Sequence, residues 1–118
     1  MTVLETADSP VYMRLRAIVA AAILRGEYEA GDQLPSVRAF AVEQGANPLT
    51  VAKAYQSFQD DGLVEVRRGV GMFVLPGAAE QLRISERKRF VEEQWPRIQA
   101  YSSLLGIDLA ELSAREPA

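Results

Sequence analysis

Eight residues carry most of the chemistry this chain offers: Arg38, Asn47, Leu49, Thr50, Lys53, Arg67, Arg68 and Gly69. Asn47 and Thr50 can hydrogen-bond a phosphate oxygen or a base edge, and the four basic side chains can each neutralise a phosphate. Leu49 falls off the apolar stripe of its own helix. It is expected to project outward, where it could pack on a thymine methyl; packing against the preceding helix or the hairpin is the alternative. Arg67 and Arg68 border a Gly69-Val70-Gly71 turn slim enough for a minor groove. Arg38 sits in the first turn of a short helix, where it would contact phosphate or a base, or else remain an ordinary solvated arginine. Together these types and spacings suit a duplex nucleic acid.

Other chemistries are poorly served. The 118 residues include no Cys and no His. Zinc and the softer metals lose their usual ligands, and the commonest general base and most nucleophile–base pairs are missing. Asp60-Asp61 and Glu92-Glu93 read as solvated helix surface, so no enzyme and no cofactor is expected. Disulfides are excluded. No apolar run approaches the roughly 20 residues of a membrane span, and the N-terminus lacks a signal pattern, so a cytoplasmic address is expected.

The net charge of −3 runs against nucleic-acid binding at first sight. Its distribution is informative. Residues 1–9 carry two acids and no base, residues 10–76 carry seven of each sign, and residues 77–118 carry six basic and seven acidic side chains. Phosphate binding depends on where basic groups stand, so a neutral domain can bind if its bases share a face. Binding is then expected to be modest and very sensitive to salt.

The elements that must position these residues are marked by their caps. Ser9-Pro10 predicts a helix start, followed by Tyr12, Leu15, Ile18, Val19, Ala22 and Ile23 at helical spacing and a stop at Gly26. Gln33-Leu34 is a candidate short strand. Ser36 caps a second helix with Val37, Phe40 and Ala41 turned inward, ending at Gly45. Asn47-Pro48 then starts a third, with Val51, Tyr55 and Phe58 as its buried stripe and Gly62 as its end. Residues 63–67 and 72–75 predict a hairpin around the turn from Arg68 to Gly71. The order is helix-turn-helix and then a basic wing.

Pro76-Gly77 marks the expected boundary between a domain at 10–76 and a tail at 77–118. In the tail Ile84, Val91, Ile98 and Leu105 fall seven apart, and Trp95 and Tyr101 widen the stripe. Pro96 should bend or break this helix. Gly106 ends it, and Asp108 caps a last helix reaching about Arg115. The expected fold is mainly α with a small β-hairpin wing: an N-terminal winged helix-turn-helix plus a short C-terminal helical dimerisation tail. The stripe cannot be buried within 42 residues, so it pairs with a second copy, or else folds back on the first helix.

The chain resembles the GntR family of bacterial transcription regulators. The resemblance is carried by Pro10-Val11-Tyr12, Gly26, the run from Gly31 to Arg38, the run from Asn47 to Val51, Lys53-Ala54-Tyr55, Gly62-Leu63-Val64 and the run from Arg68 to Val74. The short remainder is similar to the YtrA-like branch, whose members have a small helical dimerisation tail. The resemblance implies a homodimer bound to a double-stranded DNA operator, usually as a repressor. It transfers DNA contacts to Arg38, Asn47, Leu49, Thr50, Arg68 and Gly69; Lys53 and Arg67 are added here on charge and position. Leu49 departs from the polar residues frequent at its position, and Ala52 from an arginine or other long polar side chain. Any small-molecule effector would have to bind between subunits or between tail and wing domain, since so short a tail lacks the walls for a pocket. The alternative is a winged-helix module for protein–protein contact. A third reading, the front half of a fused enzyme, is disfavoured by the end at Ala118 and the self-pairing tail.

Overall fold

A computed structural model describes residues 10–115, which form two compact units, one running to Ile84 and the other from Ser85. In the first, α1 (Val11–Leu24), α2 (Val37–Gln44) and α3 (Pro48–Asp60) precede an antiparallel hairpin of β1 (Val64–Arg67) and β2 (Gly71–Val74). Ser9, the expected cap of α1, lies outside the described residues, and Pro10 stands at the cap position itself. Gly26 follows α1 at φ 84°, the left-handed geometry that glycine adopts without a Cβ penalty.

The core is made where the faces of these elements meet. Leu15, Val19 and Ile23 of α1 join Phe40 of α2, Val51, Ala54, Tyr55 and Phe58 of α3, and Leu63, Val64 and Val74 of the hairpin. Each fully buried large side chain, such as Phe58 or Ile23, contributes about 2 kcal/mol. One expectation for α1 needs correcting, and one buried residue lies outside its expected stripe. Ile18 is exposed, whereas Arg16 is buried to 9% exposure. The reason lies in α3: the Arg16 guanidinium donates to Ser57 Oγ at 3.0 Å and to Asp61 Oδ2 at 2.9 Å, and it lies 4.8 Å from the Phe58 ring centre.

The hairpin register pairs Val64 with Val74 and Arg67 with Gly71. The turn is therefore Arg68-Gly69-Val70, one residue tighter than expected, closed by Val70 N–H donating to Arg67 O at 2.9 Å. Gln33-Leu34 forms a single antiparallel bridge to Phe73, not a strand. Pro76-Gly77 is a turn, but the packed unit does not end there. Ala78 and Leu82 in the first turns of α4 (Ala78–Arg89) belong to the same core, which carries the unit on to Ile84.

In the second unit, the remainder of α4 is followed by a π-helical turn (Phe90–Gln94), α5 (Trp95–Leu104) and α6 (Leu109–Ser113). Pro96 does not break the helical path, but the regular α-helix gives way to a π turn just ahead of it. It sits in the first turn of α5, where its missing N–H is no loss, and the wide π turn ahead of it gives the ring room. That turn also brings Phe90, which the heptad spacing omits, to 6.3 Å from Trp95 between ring centres. Asp108 caps α6 as expected, accepting from Ala110 N–H at 2.9 Å. Among the described residues, no helix is long and apolar enough to cross a membrane.

Candidate nucleic-acid interface

Local chemistry sets up α2 and α3 as a pair. Ser36 Oγ accepts from Ala39 N–H at 3.0 Å, opening α2, and Arg38 follows in its first turn, exposed. Gly45 at φ 63° ends α2 in the left-handed conformation, so α3 can begin only two residues later at Asn47. Asn47 Oδ1 caps α3 by accepting from Leu49 N–H at 2.8 Å. That bond uses the carbonyl oxygen and leaves the side-chain NH2 as a donor.

The two faces of α3 differ sharply. Its rear is anchored by Val51, Ala54 and Phe58, all fully buried, and by the Tyr55 phenol, which donates to Pro35 O at 2.8 Å. Burial pushes the Tyr55 phenol above its usual range, with Tyr28 and Glu43 adding to the effect, so it remains a protonated donor. Its front carries Leu49, 80% exposed, with Thr50 half-buried beside it. Leu49 therefore packs against neither α2 nor the wing. Lys53 is exposed, yet its Nζ lies 4.3 Å from the centre of the Tyr12 ring of α1. A cation–π contact of this kind holds the ammonium at the surface without burying it.

The two wing arginines have different surroundings. Arg67 closes β1, its guanidinium 4.1 Å from the Phe73 ring centre and 3.6 Å from Glu65 Oε2. It is part of the strand surface. Arg68 and Gly69 form the tip with the exposed Val70. Arg68 makes no ion pair with the described residues, and neither does Arg38. Sequence patterning reads Gln33 only as part of a short strand and of the family run, and does not anticipate its side-chain bond from Nε2 to Val70 O at 2.9 Å. Nor does it single out the exposed Val42 of α2 and Val70 at the tip.

The expected tail residues divide differently. Ile84, Val91, Trp95, Tyr101 and Leu105 are exposed, and Ile98 is half-buried. Phe90, Leu104, Ile107 and Leu112 add apolar surface that the seven-residue spacing does not select. Within the first unit, an open groove of about 470 Å3 runs past Ile23, Val74 and Ala78. Its rim arginines are already paired, Arg25 with Glu27 at 2.9 Å and Arg83 with Glu80 at 2.6 Å.

A capped, outward-facing helix held by a short turn against a second helix, with a basic hairpin after them, defines a winged helix-turn-helix regulator. Comparison with known proteins makes the assignment specific. Residues 11–74 match the gntR family of bacterial regulatory proteins, and the chain belongs to that family, whose members are transcriptional regulators and not enzymes. The HTH-type transcriptional repressor YtrA of Bacillus subtilis is 30% identical over 105 residues, 89% of this chain and 80% of that protein. That span necessarily takes in part of the segment beyond Ile84. A GntR family transcriptional regulator from Listeria monocytogenes is similar in structure, with TM-score 0.70 and 28% identity over 93% of this chain and 95% of that one. YtrA from Sulfolobus acidocaldarius, a GntR-family transcription factor, gives TM-score 0.56 at 27% identity, covering 77% of this chain and all of that one.

Proposed function

We propose that this regulator binds a two-fold symmetric operator as a homodimer in the cytoplasm and represses transcription there. The observation that carries the reading is the asymmetry of α3: a fully buried rear and a capped front from which Leu49 projects almost entirely into solvent. A helix so held can enter a major groove without disturbing the core. Asn47, Leu49 and Thr50 then meet base edges, while Arg38 and Lys53 meet phosphates. Arg68 and Gly69 enter the adjoining minor groove, and Arg67 flanks it. The apolar stripe of Ile84, Val91, Trp95, Ile98, Tyr101 and Leu105 pairs two copies, which sets two half-sites about one helical turn apart. The repressor named YtrA in Bacillus subtilis supports both the tail and the sign of regulation.

The test begins with selection of bound fragments from the source genome, followed by a salt series on the motif obtained. Wild-type protein should enrich a two-fold symmetric sequence. Replacing Lys53→Ala and Arg68→Ala together should weaken binding about tenfold or more, and lower the salt slope by about one for each phosphate that is no longer neutralised. Full affinity and an unchanged slope in the double variant would overturn the assignment of these residues. A salt-independent complex with a protein, and no enriched motif, would favour the protein-contact module instead.

A further inference from the structure

Four consecutive residues tie together the three elements of the interface. Leu34 N–H donates to Met72 O of β2 at 2.9 Å, and Pro35 O accepts the Tyr55 hydroxyl of α3 at 2.8 Å. Ser36 caps α2. Gln33, the first of the four, reaches the wing tip through the bond from its Nε2 to Val70 O. Among the described residues, Leu34 is the last of this segment to give β2 a backbone hydrogen bond. Pro35 has no N–H, and the chain leaves there for α2. The Gln33 side chain supplies the donor that the backbone no longer offers.

Gly71 keeps the path open. Its φ of 149° lies where side-chain-bearing residues rarely sit, and a Cβ at this position would collide with the Gln33 amide. A two-stranded ribbon of four residues per strand is a soft support, because short hairpins are marginal and twist readily. A single extra bond at the tip therefore matters more here than it would in a wide sheet.

We propose that Gln33 is the positioning residue of the wing: by holding the Val70 carbonyl across Gly71, it sets Arg68 and Gly69 in fixed register with α2 and α3. The inference rests on the DNA-binding reading above, and it adds that helix and wing meet the duplex as one preformed surface. Preorganisation of this kind removes part of the ordering cost of binding.

Gln33→Met tests it, since methionine keeps the length and neutrality of the side chain and removes the N–H donors. Duplex binding should weaken about 3- to 10-fold, the range expected for one hydrogen bond. The melting temperature and the oligomeric state should stay close to wild type. In an Arg68→Ala background the same substitution should cost clearly less, because much of its effect passes through the Arg68 side chain. An equal loss with and without Arg68, or no loss at all, would overturn the proposal. Hydrogen exchange of the wing amides reads the same bond without DNA, and it should be faster at residues 68–71 in Gln33→Met. A wild-type chain that binds no duplex would sink the DNA reading alone, and unchanged wing exchange would still decide against Gln33.

Discussion

Between residues 10 and 84, Ile23, Phe58 and Leu82 are shut off from water almost completely; from Ser85 to Arg115 no described apolar side chain is. The only buried residue described in that second stretch is Ser102. The first unit has closed its own core and can present Leu49, Arg38 and Arg68 outward at no structural cost. The second spends its apolar residues on the surface. Its helical path, running without a break from α4 through the π turn into α5, and the five-residue α6 leave most of their apolar side chains exposed. In the homodimer proposed above, a second copy covers Trp95, Tyr101 and Leu105. Such a pairing would match a two-fold operator.

The sharpest way to break this contrast is Trp95→Ala. Trp95 stands beside Phe90 at the π turn, and a large aromatic at the centre of an interface commonly carries about 2–4 kcal/mol of it. The variant should sediment as a monomer and lose about 100-fold in affinity for a full operator, because the second half-site no longer benefits from the tether. Binding to an isolated half-site should barely change, and neither should unfolding of the first unit. A Trp95→Ala protein that stays dimeric would remove Trp95 from the interface.

The next largest effect belongs to the closed unit. Arg16→Ala removes the hydrogen bonds to Ser57 and Asp61 and the packing on Phe58, and leaves Ser57 Oγ without this donor. Because Asp61 is about half exposed, its share is small; the total is about 2 kcal/mol of stability, read by urea unfolding. The dimer should persist wherever the variant is folded. Unchanged stability would mean that the guanidinium is solvated and the α1–α3 contact is purely apolar.

Arg16 also marks the limit of what the sequence discloses. The caps at Ser36, Asn47 and Asp108, the glycine stops and the stripe of α3 are local signals, and each is found where its residues predict it. Arg16 is four residues after Tyr12 and three before Val19, so its position fits the buried stripe, but its partners Ser57 and Asp61 lie 41 and 45 residues further on. Nothing local announces them, and charge alone argues for the surface. Gln33 is hidden in the same way, since its partner is a backbone carbonyl 37 residues distant. Phe90 is obscured by geometry: five residues separate it from Trp95, a spacing that meets only across a π turn, and Pro96 is the one visible hint of it. At the interface itself, residue types disclose the chemistry, while the split between a strand-bound Arg67 and a free-standing tip at Arg68 needs the register of the hairpin.

The smallest expected effect isolates one side chain. Leu49 is 80% exposed and its backbone N–H serves the Asn47 cap whatever the side chain, so Leu49→Ala should leave stability within about 0.5 kcal/mol of wild type. If the leucine packs on a thymine methyl, the variant loses about 1 kcal/mol of binding, roughly fivefold, at one operator position. Replacing that thymidine by deoxyuridine deletes the methyl from the other side of the contact. Wild-type protein should then lose the same factor, and Leu49→Ala should lose nothing more on the altered site. Independent, additive losses would place Leu49 away from the methyl and leave the polar neighbours Asn47 and Thr50 as the readers of that groove. Either way the core is unaffected, since a residue this exposed at the start of a helix this firmly anchored can be changed without touching Val51, Ala54 and Phe58 behind it.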